Sequence, residues 1–171
     1  MRPTAELPRS LRVSDGGIRI RLATEADIER VVRLEQEAFT DAWSRASFEH
    51  LLGDARTLFA VACDENGVVQ GYVVAWYVLD EGEIANLAVS STSRRRGIGG
   101  LLLDAALAMA RDHGVGAVYL EVRDSNETAR SLYASRGFAQ VTRRRRYYRY
   151  PTEDALVLKL DLERPASRAP K

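Results

Sequence analysis

Two stretches of this chain hold residue types suited to chemistry. The first is Ser90-Ser-Thr-Ser-Arg94-Arg-Arg-Gly97-Ile-Gly99-Gly100. Strand-like residues 82–89 precede it. Residues 101–110, dense in Leu and Ala with no Pro or β-branched residue, follow as a helix. A strand, a basic glycine-rich turn and a helix start together suit an anion. The first helical turn has N–H groups without internal partners, and the macrodipole puts partial positive charge there. Glycines let the backbone approach closely, and the arginines add fork-shaped donors. The dinucleotide fingerprint Gly-x-Gly-x-x-Gly is not met, nor is the Gly-Lys-Ser/Thr ending of a nucleotide P-loop. The second stretch is Leu120-Glu121-Val122-Arg123-Asp124-Ser125-Asn126, followed by Leu132-Tyr133 and Gly137-Phe138. Alternation in a strand puts Tyr119, Glu121 and Arg123 on one face. A carboxylate near the end of a strand in an α/β sheet points to the region where such folds bind ligands. A solvated glutamate paired with Arg123 is the bland alternative, and Tyr133 beside Ala129 and Leu132 could equally be a core aromatic.

Elements that position these residues follow from periodicity and turn chemistry. Residues 18–22 alternate as a strand. Thr24 starts a helix with Ile28, Val31, Val32, Leu34 and Ala38 as its buried stripe. A break at 39–44 leads to a short helix begun by Ser44 or Ser47. Residues 56–63 and 68–79 form a hairpin about Asn66-Gly67, and 83–89 is the next strand. After the glycine-rich loop and its helix, which Gly114 ends, come a strand at 117–122 and a helix capped by Asn126 and closed by Gly137. Residues 138–150 and 155–160 make two final strands. The order gives an α/β fold with a mixed, mostly antiparallel sheet flanked by helices. Residues 1–17 read as a flexible extension, 18–161 as one domain and 162–171 as a disordered tail.

Composition sets bounds. The chain has 171 residues and a formal net charge of +1, which argues against a general nucleic-acid coat protein. The single cysteine, Cys63, lies in an apolar run and reads as an inert buried thiol. His50 and His113 lack ligand spacing, so no metal is expected. No apolar run approaches a spanning helix, which makes the cytoplasm the expected location and leaves no role for a membrane. The run Arg143 to Tyr150 interleaves arginines and aromatics, as single-strand nucleic-acid binders do. Alternation along a strand would split it into two smaller patches.

Arg94-x-x-Gly97-x-Gly99 resembles the pyrophosphate signature of the GNAT acetyltransferases, and further motifs narrow the likeness. Leu-Glu-Val-Arg-x-Ser-Asn with Leu-Tyr-x-x-x-Gly-Phe, Asn86-Leu-Ala-Val89, Arg146-Tyr147-Tyr148 with Glu153-Asp154-Ala155, and Phe39-x-x-x-Trp43-Ser44 are similar to those of bacterial ribosomal-protein alanine N-acetyltransferases (RimI type). The one departure is Ala42, where that family has Pro. The resemblance runs from about Ile18 to Leu160. It implies acetyl-CoA as cosubstrate, with Leu87, Ala88 and Val89 pairing with its pantetheine arm and one of their N–H groups facing the thioester oxygen. Arg95, Arg96, Gly97, Ile98, Gly99 and Gly100 would hold the pyrophosphate, and Asn126 would also touch the cofactor. Glu121 matches the family's proton acceptor and Tyr133 its proton donor. Trp43, Tyr147 and Tyr148 would line the acceptor cleft. The implied acceptor is the N-terminal alanine of a ribosomal protein. A lysine side chain or a small amine is the alternative within the fold, and an RNA- or ribosome-binding protein without catalysis is the alternative outside it.

Overall fold

The computed structural model describes residues 14–163. Its elements are β1 (Ser14–Asp15), β2 (Ile18–Leu22), α1 (Ile28–Ala38), α2 (Arg45–Leu51), β3 (Thr57–Cys63), β4 (Val69–Val78), β5 (Glu81–Val89), α3 (Ile98–Asp112), β6 (Ala117–Arg123), α4 (Glu127–Ser135), β7 (Ala139–Tyr148) and β8 (Glu153–Asp161). The strands form one sheet in the order β1-β2-β3-β4-β5-β6-β8-β7. All pairings are antiparallel except β5 with β6. The expected α/β fold with a mostly antiparallel sheet and flanking helices is therefore the observed one. No helix among the described residues is long and apolar enough to cross a membrane.

Helices cover both faces of the sheet. On one, α3 and α4 pack Leu102, Leu103, Ala106 and Tyr133 against Ile20, Val73, Ile84, Leu120 and Leu156. On the other, α1 and α2 pack Ile28, Val31, Leu34 and Phe48 against Phe59, Val61, Tyr72 and Val74. The long apolar runs of β3 and β4 follow from this, because strands covered on both sides cannot alternate with polar residues.

Several boundaries differ from expectation for local reasons. The last residues of the expected extension join the sheet, since Gly16 and Gly17 at φ 58° and 82° turn Ser14–Asp15 back onto β2. Residues 1–13 and 164–171 lie outside the described residues. Leu162, expected in the tail, is buried, and its N–H donates to Gly116 O at 2.8 Å. A short 3-10 turn at Glu25–Asp27 precedes α1, held by Thr24 N–H to Asp27 Oδ2 at 2.8 Å and by Arg21, which forks onto Asp27 at 2.7 and 2.8 Å. In α1, Ala38 is exposed and Val32 half-buried, while Glu35 takes a place on the buried face.

Candidate active site

The site begins with a failure of pairing. Strands β5 and β6 are matched only from Glu81↔Ala117 to Ile84↔Leu120. On β4 the register with β5 shifts between Val74 and Ala75, so Ala85 has no cross-strand partner. A bulge of this kind bends a strand away from its neighbour. Beyond it, Leu87, Ala88 and Val89 still pair with Val73, Tyr72 and Gly71, but among the described residues no strand pairs with their other edge. The sheet thus opens into a gap with an unpaired backbone edge on one side, a surface able to pair with any amide-bearing chain. Glu121 is the first β6 residue past the last pair.

Strand β5 leads to the mouth of α3. A short 3-10 turn at Ser91–Ser93 and left-handed conformations at Arg95 (φ 64°) and Gly97 (φ 75°) fold the loop tightly before the helix. No side chain hydrogen-bonds to cap that helix. Gly97 is exposed with nothing within 4 Å of where a Cβ would stand, so its positive φ, rather than crowding, is what calls for glycine. At Gly99 the reason is space: a Cβ there would lie 3.2 Å from Leu132 and within 4 Å of Leu87 and Val89. A Cβ on Gly100 would meet the Arg136 guanidinium at 2.6 Å, and Arg136 is fixed by two 3.0 Å bonds to Asp104. Ile98 is buried, whereas Arg94, Arg95 and Arg96 are exposed. A bare helix N-terminus with free space and three arginines fits a diphosphate. Asn126 caps α4, its Oδ1 accepting from Ala129 N–H at 3.1 Å.

On the α1/α2 face, Glu121 lies in a groove of about 450 Å³ whose walls include Trp76, Glu83, Tyr119, Arg144 and Val157. Its ion-pair partner is Arg144, at 3.2 Å, and not Arg123 as alternation within β6 suggested. Tyr147 also hydrogen-bonds to Glu121, and this contact, followed by burial, raises the phenol's pKa. Arg144 and Tyr147 would face opposite ways in a regular strand. They converge because the register with β8 slips between Arg144 and Tyr148, with Arg146 at φ 51° and its N–H held by Asp154 Oδ1 at 2.9 Å. The expected split of the arginine run into two alternating patches is therefore wrong. Arg143 bridges Asp124 and Asp154, at 2.7 and 3.1 Å, so part of the run is neutralised within the fold.

Arg123 has a different task. Its guanidinium reaches Thr40 Oγ1 at 3.0 Å in the α1–α2 loop and Glu153 at 3.3 Å on β8, and it lies 4.2 Å from the centre of the Tyr148 ring. Tyr148 meets Tyr147 edge-on at 5.1 Å, and its own pKa is pushed up to about 12 by burial and by Glu121. Trp43 stacks on Trp76 at 5.8 Å and 3°, and Trp76 Nε1 donates to Glu83 at 3.2 Å. Tyr133 comes from the opposite face. It is 7% exposed, packs edge-on against Phe138, and has its pKa raised to about 12 by burial first and then by nearby Tyr148. Such a phenol keeps its proton throughout the neutral range.

Arg144, Trp76 and Glu83 were not among the residues expected in the site. For Trp76 and Glu83 the usable signal was cross-strand pairing, since they sit opposite each other on β4 and β5. For Arg144 no local signal existed, because its position depends on the β7 bulge.

Comparisons with known proteins agree with this geometry. The model of the acetyltransferase (GNAT) family matches residues 28–138. The [ribosomal protein bS18]-alanine N-acetyltransferase of Escherichia coli K12 is 34% identical over 140 residues, covering 80% of this chain and 92% of the relative. Its counterpart in Salmonella typhimurium is 33% identical over 147 residues, covering 84% and 97%. The crystal structure of the ribosomal-protein-S18-alanine N-acetyltransferase from Escherichia coli superposes with a TM-score of 0.80 at 30% identity, over 90% of this chain and 99% of that one. The opened sheet, the bare helix mouth and these likenesses together establish that the chain belongs to the GNAT family, as an acetyl-CoA-dependent N-acetyltransferase.

Proposed function

We propose that this enzyme acetylates the α-amine of an N-terminal alanine on a ribosomal protein, in the cytoplasm, by direct attack with Glu121 as base and Tyr133 as acid. The observation that carries the reading is the place of Glu121: first past the last β5–β6 pair, in a groove on the face opposite α3. An acyl donor gripped at the mouth of α3 can reach this carboxylate only through the opened sheet, so donor and acceptor enter from opposite sides. The relatives' acceptor, a ribosomal-protein alanine, supports the rest.

Acetyl-CoA supplies the acetyl thioester. Its diphosphate would lie against the backbone of Gly97, Ile98, Gly99 and Gly100 with Arg95 and Arg96 beside it, and Asn126 would stand nearby. Leu87, Ala88 and Val89 offer the open edge for its amide-bearing arm, and an N–H there would stabilise negative charge on the carbonyl oxygen. Trp43, Tyr147 and Tyr148 would form the acceptor's walls. Glu121 takes the proton of the attacking amine, directly or through water.

Proton arithmetic favours an α-amine. With a pKa of about 7.7–8.0 its deprotonation at pH 7 costs about 1 kcal/mol, whereas a lysine near 10.4 costs about 4.5. One glutamate suits the cheaper task. Tyr133 donates to the departing sulphur. Burial raises this phenol's pKa, so full transfer of its proton to an ordinary thiolate would be uphill. Its acid role is a hydrogen bond that strengthens as thiolate forms. The departing thiolate then takes a proton from solvent, and Glu121 releases the amine's proton to solvent, so the count balances.

The test offers the enzyme two peptides with acetyl-CoA, one with a free N-terminal alanine and no lysine, the other N-blocked with an internal lysine. Mass spectrometry is expected to show acetylation of the first alone. Acetylation of the second at an equal rate would transfer the assignment to lysine side chains.

A further inference from the structure

Glu35 is a buried acid outside the mechanism just described. It sits on α1 with 0% exposure, on the face that otherwise holds Ile28, Val31 and Leu34. Burying a carboxylate costs several kcal/mol unless donors replace the lost water, and an apolar side chain of similar size fills such a place equally well. Here the donors are present. Trp43 N–H reaches Oε1 at 2.8 Å, Asn86 Nδ2 reaches both oxygens at 3.0 and 3.1 Å, and the Tyr72 hydroxyl donates to Oε2. Burial pushes the carboxyl's pKa up, and these hydrogen bonds oppose that.

The three donors belong to different parts of the molecule. Tyr72 lies in the middle of β4, inside the core. Trp43 is in the α1–α2 loop and stacks on Trp76, a wall of the groove. Asn86 directly follows Ala85, the unpaired residue at which β5 leaves β6. One carboxylate therefore touches the start of the open backbone edge and the base of the acceptor wall at once.

We propose that Glu35 is a positioning residue: by holding Asn86 and the Trp43 amide it fixes the bulge at Ala85, and with it the aim of the open edge 87–89 relative to the acceptor groove. This builds on the reading of that edge as the acyl donor's seat. It couples the two half-sites through α1 as well as along β4 and β5, at the point where the β5–β6 pairing stops.

The three donors provide their own controls. In the full chain, Tyr72→Phe removes a donor from the core side only. It is expected to lower Tm and leave kcat with an alanine peptide within about threefold of wild type. Asn86→Ala is expected to lower kcat at least about tenfold at saturating substrates, at a temperature where the variant is fully folded. Glu35→Gln places an amide where donors converge and should lose activity likewise. The paired exchange Glu35→Gln with Asn86→Asp restores donor to acceptor with the roles reversed, and should regain kcat to within about threefold. Amide exchange at Ala85 gives a readout that needs no acceptor: it should speed up in Asn86→Ala and Glu35→Gln and stay as in wild type in Tyr72→Phe. If kcat and Ala85 exchange change equally in Tyr72→Phe and Asn86→Ala, Glu35 is a stability element and the proposal is overturned. Failure of the paired exchange to regain activity overturns it as well. A wild-type enzyme that acetylates no alanine peptide would instead sink the acceptor assignment, and the exchange measurement would still decide the role of Glu35.

Discussion

The two sides of the gap between β5 and β6 are built from different materials. On the α3/α4 side, the surface offered to a ligand is backbone: the bare N–H groups of α3, the open edge of 87–89, and the glycines that let both be approached. On the α1/α2 side it is a web of charged and aromatic side chains in which Glu121, Arg144, Tyr147, Tyr148 and Arg123 orient one another. The materials suit the tasks. Backbone amides are fixed dipoles that need no reorganisation to meet an anion, and they bind a constant part of a substrate well. Side chains can be placed to move a proton and to choose among acceptors. The two sides should therefore break in opposite ways: adding atoms harms the first, and removing functional groups harms the second.

The largest separation is expected from Glu121→Gln. Losing the base should lower kcat by roughly 10²–10⁴, while calorimetry finds acetyl-CoA affinity within about twofold of wild type. Unchanged kcat would shift the base elsewhere in the groove, and Glu83 would be the first to test. Tyr133→Phe should follow with a loss of about 10–10² in kcat. Because burial raises this phenol to about 12, the wild-type rate should show no alkaline fall from Tyr133 up to about pH 10. A wild-type decline near pH 9 that vanishes in the phenylalanine variant would contradict that shift.

Gly97→Val should produce the reverse pattern. Holding a β-branched residue at φ 75° costs about 1–2 kcal/mol, and the new side chain would stand over the helix mouth. We expect acetyl-CoA to bind at least about tenfold more weakly, with kcat nearly unchanged at saturation. If affinity is unaffected while kcat falls, the helix mouth is not the diphosphate seat and the contrast between the two sides disappears.

That contrast also explains what could be recognised before any coordinates. The backbone-built side rests on consecutive residues, so the run from Asn86 to Gly100 carries its own signal of strand, tight turn and helix start. The side-chain-built side rests on contacts distant in sequence. The convergence of Arg144 and Tyr147 on Glu121 depends on a bulge held by Asp154, and a strict two-residue period predicts the wrong faces. Glu35 was legible in part. Positions 28, 31 and 35 share one face of a helix, so an acid at 35 among apolar neighbours was a visible anomaly. The exposed Ala38 took its place in the expected stripe because polarity outweighed period. What the chain could not disclose locally was the set of donors that make that burial tolerable, since they come from the α1–α2 loop, β4 and β5.

The smallest effect tests whether the acceptor side is also closed by side chains. Arg123 lies two residues beyond Glu121 and ties the α1–α2 loop, through Thr40, to β8 and the turn before it, through Glu153 and the Pro151 carbonyl, while stacking on Tyr148. Lysine keeps the charge but loses the planar fork that makes these contacts together. Arg123→Lys should therefore loosen the two segments that flank the acceptor without touching base, acid or helix mouth. The expected result is a rise of about three- to tenfold in KM for the alanine peptide, with kcat and acetyl-CoA affinity close to wild type. Thr40→Val, which removes only the loop contact, should move KM in the same direction by less. A matching loss of acetyl-CoA affinity would instead show that the segments tied by Arg123 support the whole gap, and the division of labour between the two faces would have to be redrawn.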